Sequence, residues 1–225
     1  MPDVELKGTS VEYMIAEFNA LQGSVARLEE TKSSRVNFYL LIVAALLAGL
    51  SGVADGTNLL VHPNIVIAIV AFVLLVLGIA VLNQLVHYSV AIVSLQRRAG
   101  RIRRWFSEAD TTIEPYLAFE PRDDSPGLDV KDAYLEFRGG DVIVLTVNAA
   151  LLCVGIVALL YYFSPTISWP LTLLFGTSSA VLAWLAQRNR IHAQLRRVET
   201  SVQKNVHFPR TIAPDSGDSP AIAKR

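Results

Sequence analysis

Asn83, Gln84 and His87 fall within five residues of one another in an otherwise apolar stretch, and Thr146 and Asn148 fall in another. Polar side chains set among so many aliphatic ones have two chemical uses. They hydrogen-bond across packed helices, at about 0.6–2 kcal/mol each. Otherwise they line a path for water, ions or protons, with His87 as the group able to carry a proton. Interhelical bonding is the expected use, because proton and ion paths rely on ionisable groups deep in a span and His87 is near the end of its stretch. The alternative is an oligomer in which Asn83, Gln84, His87, Thr146 and Asn148 line a shared pore.

A second constellation is cationic. Arg97, Arg98, Arg101, Arg103 and Arg104 surround Ile102 and precede Trp105. Such a run suits anionic lipid headgroups, each charge near the surface adding about 1 kcal/mol. Nucleic acid is not expected as a partner, since the run follows an apolar stretch and the formal net charge of the chain is +0. Asp123, Asp124 and Asp129 form an acidic loop without the spacing or terminal Glu of a calcium-binding EF-hand. The single cysteine, Cys153, has no intramolecular partner and reads as a small apolar residue. His62, His192 and His207 lack neighbours at ligand spacing. There is no HExxH, P-loop or GxSxG motif and no paired intramembrane carboxylate. No enzyme, cofactor or metal is therefore expected.

The elements that carry these residues follow from composition. Of 225 residues, 52% are hydrophobic and 18% charged, whereas soluble domains carry about 25% charged residues. A helix needs about 20 apolar residues to cross a bilayer. Four stretches qualify, at 36–54, 65–86, 142–163 and 167–186, and none contains an acidic or basic side chain. The breaks at 55–64 and 164–166 are short, which pairs the spans into two antiparallel hairpins. Tyr161, Tyr162 and Trp169 flank the second break, where amphipathic rings favour the membrane interface. Neither break holds a Lys or Arg, so all 20 basic residues fall on one side. The positive-inside rule makes that side the cytoplasm and places both termini there. The first thirty residues do not resemble a cleavable signal. The excess of Arg over Lys, with abundant Ala, Val and Leu, points to a bacterial inner membrane.

Three spans extend as amphipathic helices. Residues 1–35 carry Val11, Met14, Phe18, Leu21, Val25 and Leu28 at heptad spacing, with Thr9 and Glu12 in capping-box register. The first hairpin unit, 36–106, continues with Leu85, Tyr88, Ile92, Leu95, Ala99, Ile102 and Phe106. The second, 142–205, continues with Ile191, Leu195, Val198 and Val202. Packed together, the three seams would make a small bundle below the membrane. Residues 107–141 form a loop with short helices, and 206–225 have the composition of a disordered tail. VLNQLVHY at 81–88 resembles VLAWLAQR at 181–188, a weak internal repeat.

The sequence thus describes an all-α integral membrane protein, four transmembrane helices in two hairpins with a cytoplasmic helical bundle. Its expected partners are membrane lipids and either a second copy or a cytoplasmic protein. The expected role is non-enzymatic, as scaffold, regulator or effector subunit; an oligomeric channel is the alternative.

Overall fold

The computed structural model describes residues 8–56, 62–110, 112, 115, 126–128 and 139–203, with 51–56 and 203 described by their backbone alone. Most of the 107–141 loop, including its aromatic segments and the Asp123, Asp124 and Asp129 cluster, lies outside these residues, as does the 206–225 tail. The described chain is helical: α1 (Gly8–Gly56), α2 (Pro63–Ala109), α3 (Gly140–Phe163) and α4 (Trp169–Gln203). All four are long and apolar enough to cross a membrane.

Three of the helices are far longer than a bilayer requires. α1 has 49 residues, α2 47 and α4 35, against the roughly 20 that span hydrocarbon. No proline interrupts α1, so its amphipathic beginning and its apolar end form one helix. Since Gly8 is already helical, Thr9 stands within the helix instead of capping it. α2 starts with Pro63, whose missing N–H costs nothing in a first turn. It ends at Asp110, whose N–H reaches Phe106 O at 2.9 Å. The Asp110 carboxylate accepts from the Thr112 hydroxyl at 2.6 Å and the Thr112 N–H at 2.9 Å, which hold it below the usual carboxylate range. Ser168 O accepts from the N–H groups of Leu171 and Thr172 and so starts α4.

α2 and α3 share the most extensive interface, with α1 packed chiefly on α2 and α4 chiefly on α3. Contacts give the direction of each pairing. Leu21 clusters with Ala99 and Ile102, and Lys32 bonds Ser89, so positions rise along α1 as they fall along α2. Gly155 lies against Ala71 and Phe72, and His62 meets the Tyr162 ring edge-on at 5.4 Å; α2 and α3 are likewise opposed.

Two apolar clusters result. The larger joins Val36, Tyr39 and Val43 of α1 to Leu74, Leu82 and Leu85 of α2 and Val144, Leu145 and Leu151 of α3. The smaller joins Leu21, Ala99 and Ile102, with Met14, Phe18, Leu95 and Phe106 around them. The heptad seams of α1 and α2 therefore close on each other within one chain. In α4, Ile191 packs on the larger cluster. The internal repeat does not share an environment: Leu82 and Leu85 are buried, whereas Leu182 and Leu185 are 67% and 42% exposed.

Because the smaller cluster stands apart from the larger, Ile102→Ala should loosen the ends of α1 and α2 alone. Removing that side chain should cost about 2–5 kcal/mol. Hydrogen exchange should accelerate in residues 8–28 and 95–109 while protection persists in 65–86. Uniform loss of protection would show that the two clusters are one cooperative unit.

Candidate functional site

The polar side chains picked out by the sequence separate in the structure. Asn148 is completely buried. Its Oδ1 accepts from the Tyr39 hydroxyl at 2.8 Å, and its Nδ2 donates to Gln187 Oε1 at 3.3 Å. One side chain of α3 thereby binds α1 and α4. α2 contributes an absence of side chain: a β-carbon on Gly78 would collide with Asn148 Oδ1 and the Tyr39 hydroxyl. All four helices thus meet at one polar node. Thr146, two residues away, is exposed and returns its hydroxyl to Val142 O at 2.8 Å. Asn83 is half-buried, and Gln84 and His87 are exposed on the outer face of α2. Of the five, only Asn148 enters the interhelical core.

A second polar contact lies about two helical turns from the first along both α1 and α3. Lys32 Nζ donates to Asp141 Oδ2 at 2.9 Å and to Ser89 Oγ at 2.8 Å, joining α1, α3 and α2. Both charged partners are mostly covered, with 17% and 28% of their side chains exposed.

The arginine run also separates. Arg97 is buried, and its Nη2 donates to both carboxylate oxygens of Glu199 at 2.9 and 2.8 Å. Its Nε donates to Pro126 O at 3.0 Å, while Leu128 N donates to Glu199 Oε2 at 3.1 Å. The pair accordingly joins α2 to α4 and pins the 126–128 segment, where Leu128 is buried. Arg98 is exposed. Arg101 is half-buried, Arg103 lies 5.3 Å from the Phe18 ring centroid, and Arg104 Nε bonds Glu108 Oε1 at 2.8 Å. Along the axis of α2 these residues stand about 16–27 Å past Val86 at 1.5 Å per residue.

At the far end of α1 and α2 two adjoining depressions open between the helices. Thr9, Ser10, Tyr13, Met14 and Trp105 line one of about 360 Å³. Met14, Arg101, Ile102, Trp105 and Glu108 line the other, of about 230 Å³. Together they form an elongated groove floored by Met14 and Trp105. Among the described residues, no three His, Cys, Asp or Glu side chains converge as a metal site would require.

Tyr39, Gln187, Lys32, Asp141 and Glu199 escaped the sequence reading because each lies far along the chain from its partner. One signal was present: an asparagine buried in a span needs donors and acceptors on neighbouring helices, and Tyr39 is a hydroxyl within the first span. Comparison with protein-family models, curated proteins and solved structures finds no match.

Gly78→Ala should break the node, because the new methyl group occupies the space of the Tyr39–Asn148 bond. Gly155→Ala, whose β-carbon meets Phe72 at 3.4 Å and Ala71 at 3.5 Å, should be close to neutral. Thermal unfolding in detergent should separate the two variants clearly; equal stability would mean that the node does not bear on folding. For the buried ion pair, Arg97→Ala should cost about 3–5 kcal/mol by stranding Glu199, while Arg97→Met with Glu199→Leu should recover most of that loss. A double variant as unstable as the single one would assign the effect to lost packing.

Proposed function

We propose that this chain is a multi-pass protein of the bacterial inner membrane that acts, without catalysis, through a cytoplasmic helical surface. The four spans cross as two antiparallel hairpins, both termini lie in the cytoplasm, and the extensions of α1, α2 and α4 form a small bundle there. A scaffold, regulator or effector subunit fits this layout.

The observation that carries the reading is the length of the helices beyond their apolar spans. From Gly8 to Arg35, α1 continues for about 42 Å, α2 from His87 to Ala109 for about 34 Å, and α4 from Gln187 to Gln203 for about 25 Å. A membrane anchor needs none of this. The extensions have their own apolar cluster and their own buried ion pair, and the groove lies at their tip. On the opposite side, the α3–α4 connection is only residues 164–168, which leaves little surface for an external ligand. The orientation rests on the placement of the basic residues.

Single cysteines at Ser24 and Thr200, both exposed, in a Cys153→Ala background provide the test. A membrane-impermeant maleimide should label them in inverted vesicles and spare them in intact cells. Labelling in intact cells would reverse the topology and remove the cytoplasmic reading. Ion flux through the purified chain in liposomes, altered by Asn148→Leu, would replace the scaffold reading with a channel.

A further inference from the structure

Apolar exposure has different meanings at different heights in this molecule. Within the spans, side chains such as Phe38, Val76, Leu174 and Leu182 are exposed and are solvated by acyl chains. Outside the spans water is the solvent, and exposed apolar area there costs free energy. Among the described residues, the exposed large apolar side chains outside the spans are Tyr13, at 68%, and Ile15, at 48%. Tyr13 borders the groove that Met14 and Trp105 floor. Trp, Tyr, Met and Arg are the residue types enriched in protein–protein interfaces.

We propose that a second copy of this chain covers the groove, so that α1 and α2 of each copy close a four-helix arrangement at the cytoplasmic tip. The proposal rests on the cytoplasmic placement of the extensions argued above. Two copies in one membrane share their orientation, so their two-fold axis runs along the membrane normal and preserves height. Residues level with one another in one copy then remain level across the axis. Within a copy, Arg103 stacks near Phe18, and Arg101 lines the same cavity as Met14. Glu17, adjacent to Phe18, is consequently level with the arginine run.

Charge completes the match. At the tip, α1 presents the acidic Glu12 and Glu17, both exposed, whereas α2 carries Arg98, Arg101, Arg103 and Arg104 with Glu108. Placing α1 of one copy beside α2 of the other sets the acidic helix against the basic one, twice, by symmetry. Parallel α1–α1 pairing would instead oppose like charges. The crossed arrangement also repeats, between copies, the α1–α2 packing already present within each copy. Because Tyr13 and Glu17 are four residues apart, they share one face of α1. Ile15 lies about 200° around the helix from Tyr13 and serves as the comparison position.

The test uses the full chain with Cys153→Ala, in native membranes, carrying a single cysteine at Tyr13 or Ile15. It is co-expressed with a differently tagged copy whose single cysteine replaces Glu108, the groove-lining α2 position level with Tyr13. Each is first treated with impermeant maleimide from either side of the membrane, then a separate sample is oxidised with copper phenanthroline. Tyr13→Cys should react from the cytoplasmic side and give a mixed-tag disulfide dimer with the Glu108→Cys copy on oxidation, and Ile15→Cys should give little. A Tyr13–Tyr13 dimer in place of the mixed one would overturn the crossed arrangement. Adding Glu17→Arg to both copies should abolish the cross-link, and adding Arg98→Glu to both as well should restore it. Cross-linking at both positions alike would indicate collision and overturn the dimer, as would a Tyr13→Cys cross-link indifferent to charge reversal. A Tyr13 cysteine that reacts with cytoplasmic maleimide yet never cross-links would also overturn it, leaving the topology intact. A cysteine labelled only from outside would overturn the topology on which the proposal stands.

Discussion

Where water is absent, a side-chain amide must find its hydrogen-bond partners inside the protein, and Asn148 meets that constraint by fixing where three other helices can stand. Its carbonyl takes the Tyr39 hydroxyl from α1, its amino group reaches Gln187 on α4, and the volume they need is vacated by Gly78 on α2. Apolar packing between membrane helices gains no hydrophobic driving force, since lipid tails are as apolar as leucine. Van der Waals contact permits many registers of Leu and Val against Leu and Val. A donor and an acceptor with one geometry permit few, so the node selects the register in which the larger apolar cluster then packs.

Successive polar contacts repeat this selection at other depths, with changed energetics. Lys32, Asp141 and Ser89 join α1, α3 and α2 near the start of α3, where both charges retain partial access to solvent. Arg97 and Glu199 join α2 to α4 well beyond the spans. There the pair is buried among protein groups and strengthened by hydrogen bonds to Pro126 and Leu128. A buried pair of this kind adds little net stability over apolar residues of equal shape. Its effect is directional, since removing either partner leaves an uncompensated charge. The apolar cluster of Leu21, Ala99 and Ile102 joins α1 to α2 outside the apolar stretches.

The sequence displayed whatever periodicity and composition encode. Four charge-free apolar stretches correspond to four helices, with span boundaries moved by a few residues where Pro63 and Trp169 begin helices and Gly140 precedes Val142. The facing seams of α1 and α2 were legible because heptad spacing is a local property. Long-range pairing was not. Arg97 belonged to a run that looks uniformly solvent-directed, and only the helical turn it occupies distinguishes it from exposed Arg98. Glu199, 102 residues away in the chain, is the group that decides its role. Asn148 was distinguishable from Thr146 only once the core-facing side of α3 was known. Thr146 can satisfy itself on its own helix at Val142, whereas an asparagine amide cannot do so fully and must turn toward a neighbour.

The position of the ion pair bears on how the extensions can move. The chain passes from α2 to α3 through a long connection, and Pro126–Leu128 within it is held by the same two side chains that hold α2 to α4. Displacing the α4 extension from α2 would therefore expose or strand a buried charge, at several kcal/mol. An interaction at the tip worth less than that cannot separate the two extensions. Among the described residues, the α1–α2 cluster and the Arg103–Phe18 contact join the helices beyond Arg97, with the groove open beside them. The tip is thus tied by apolar contact and a cation–π pair, whereas the level behind it is tied by a buried charge pair that α2 and α4 cannot separate without stranding.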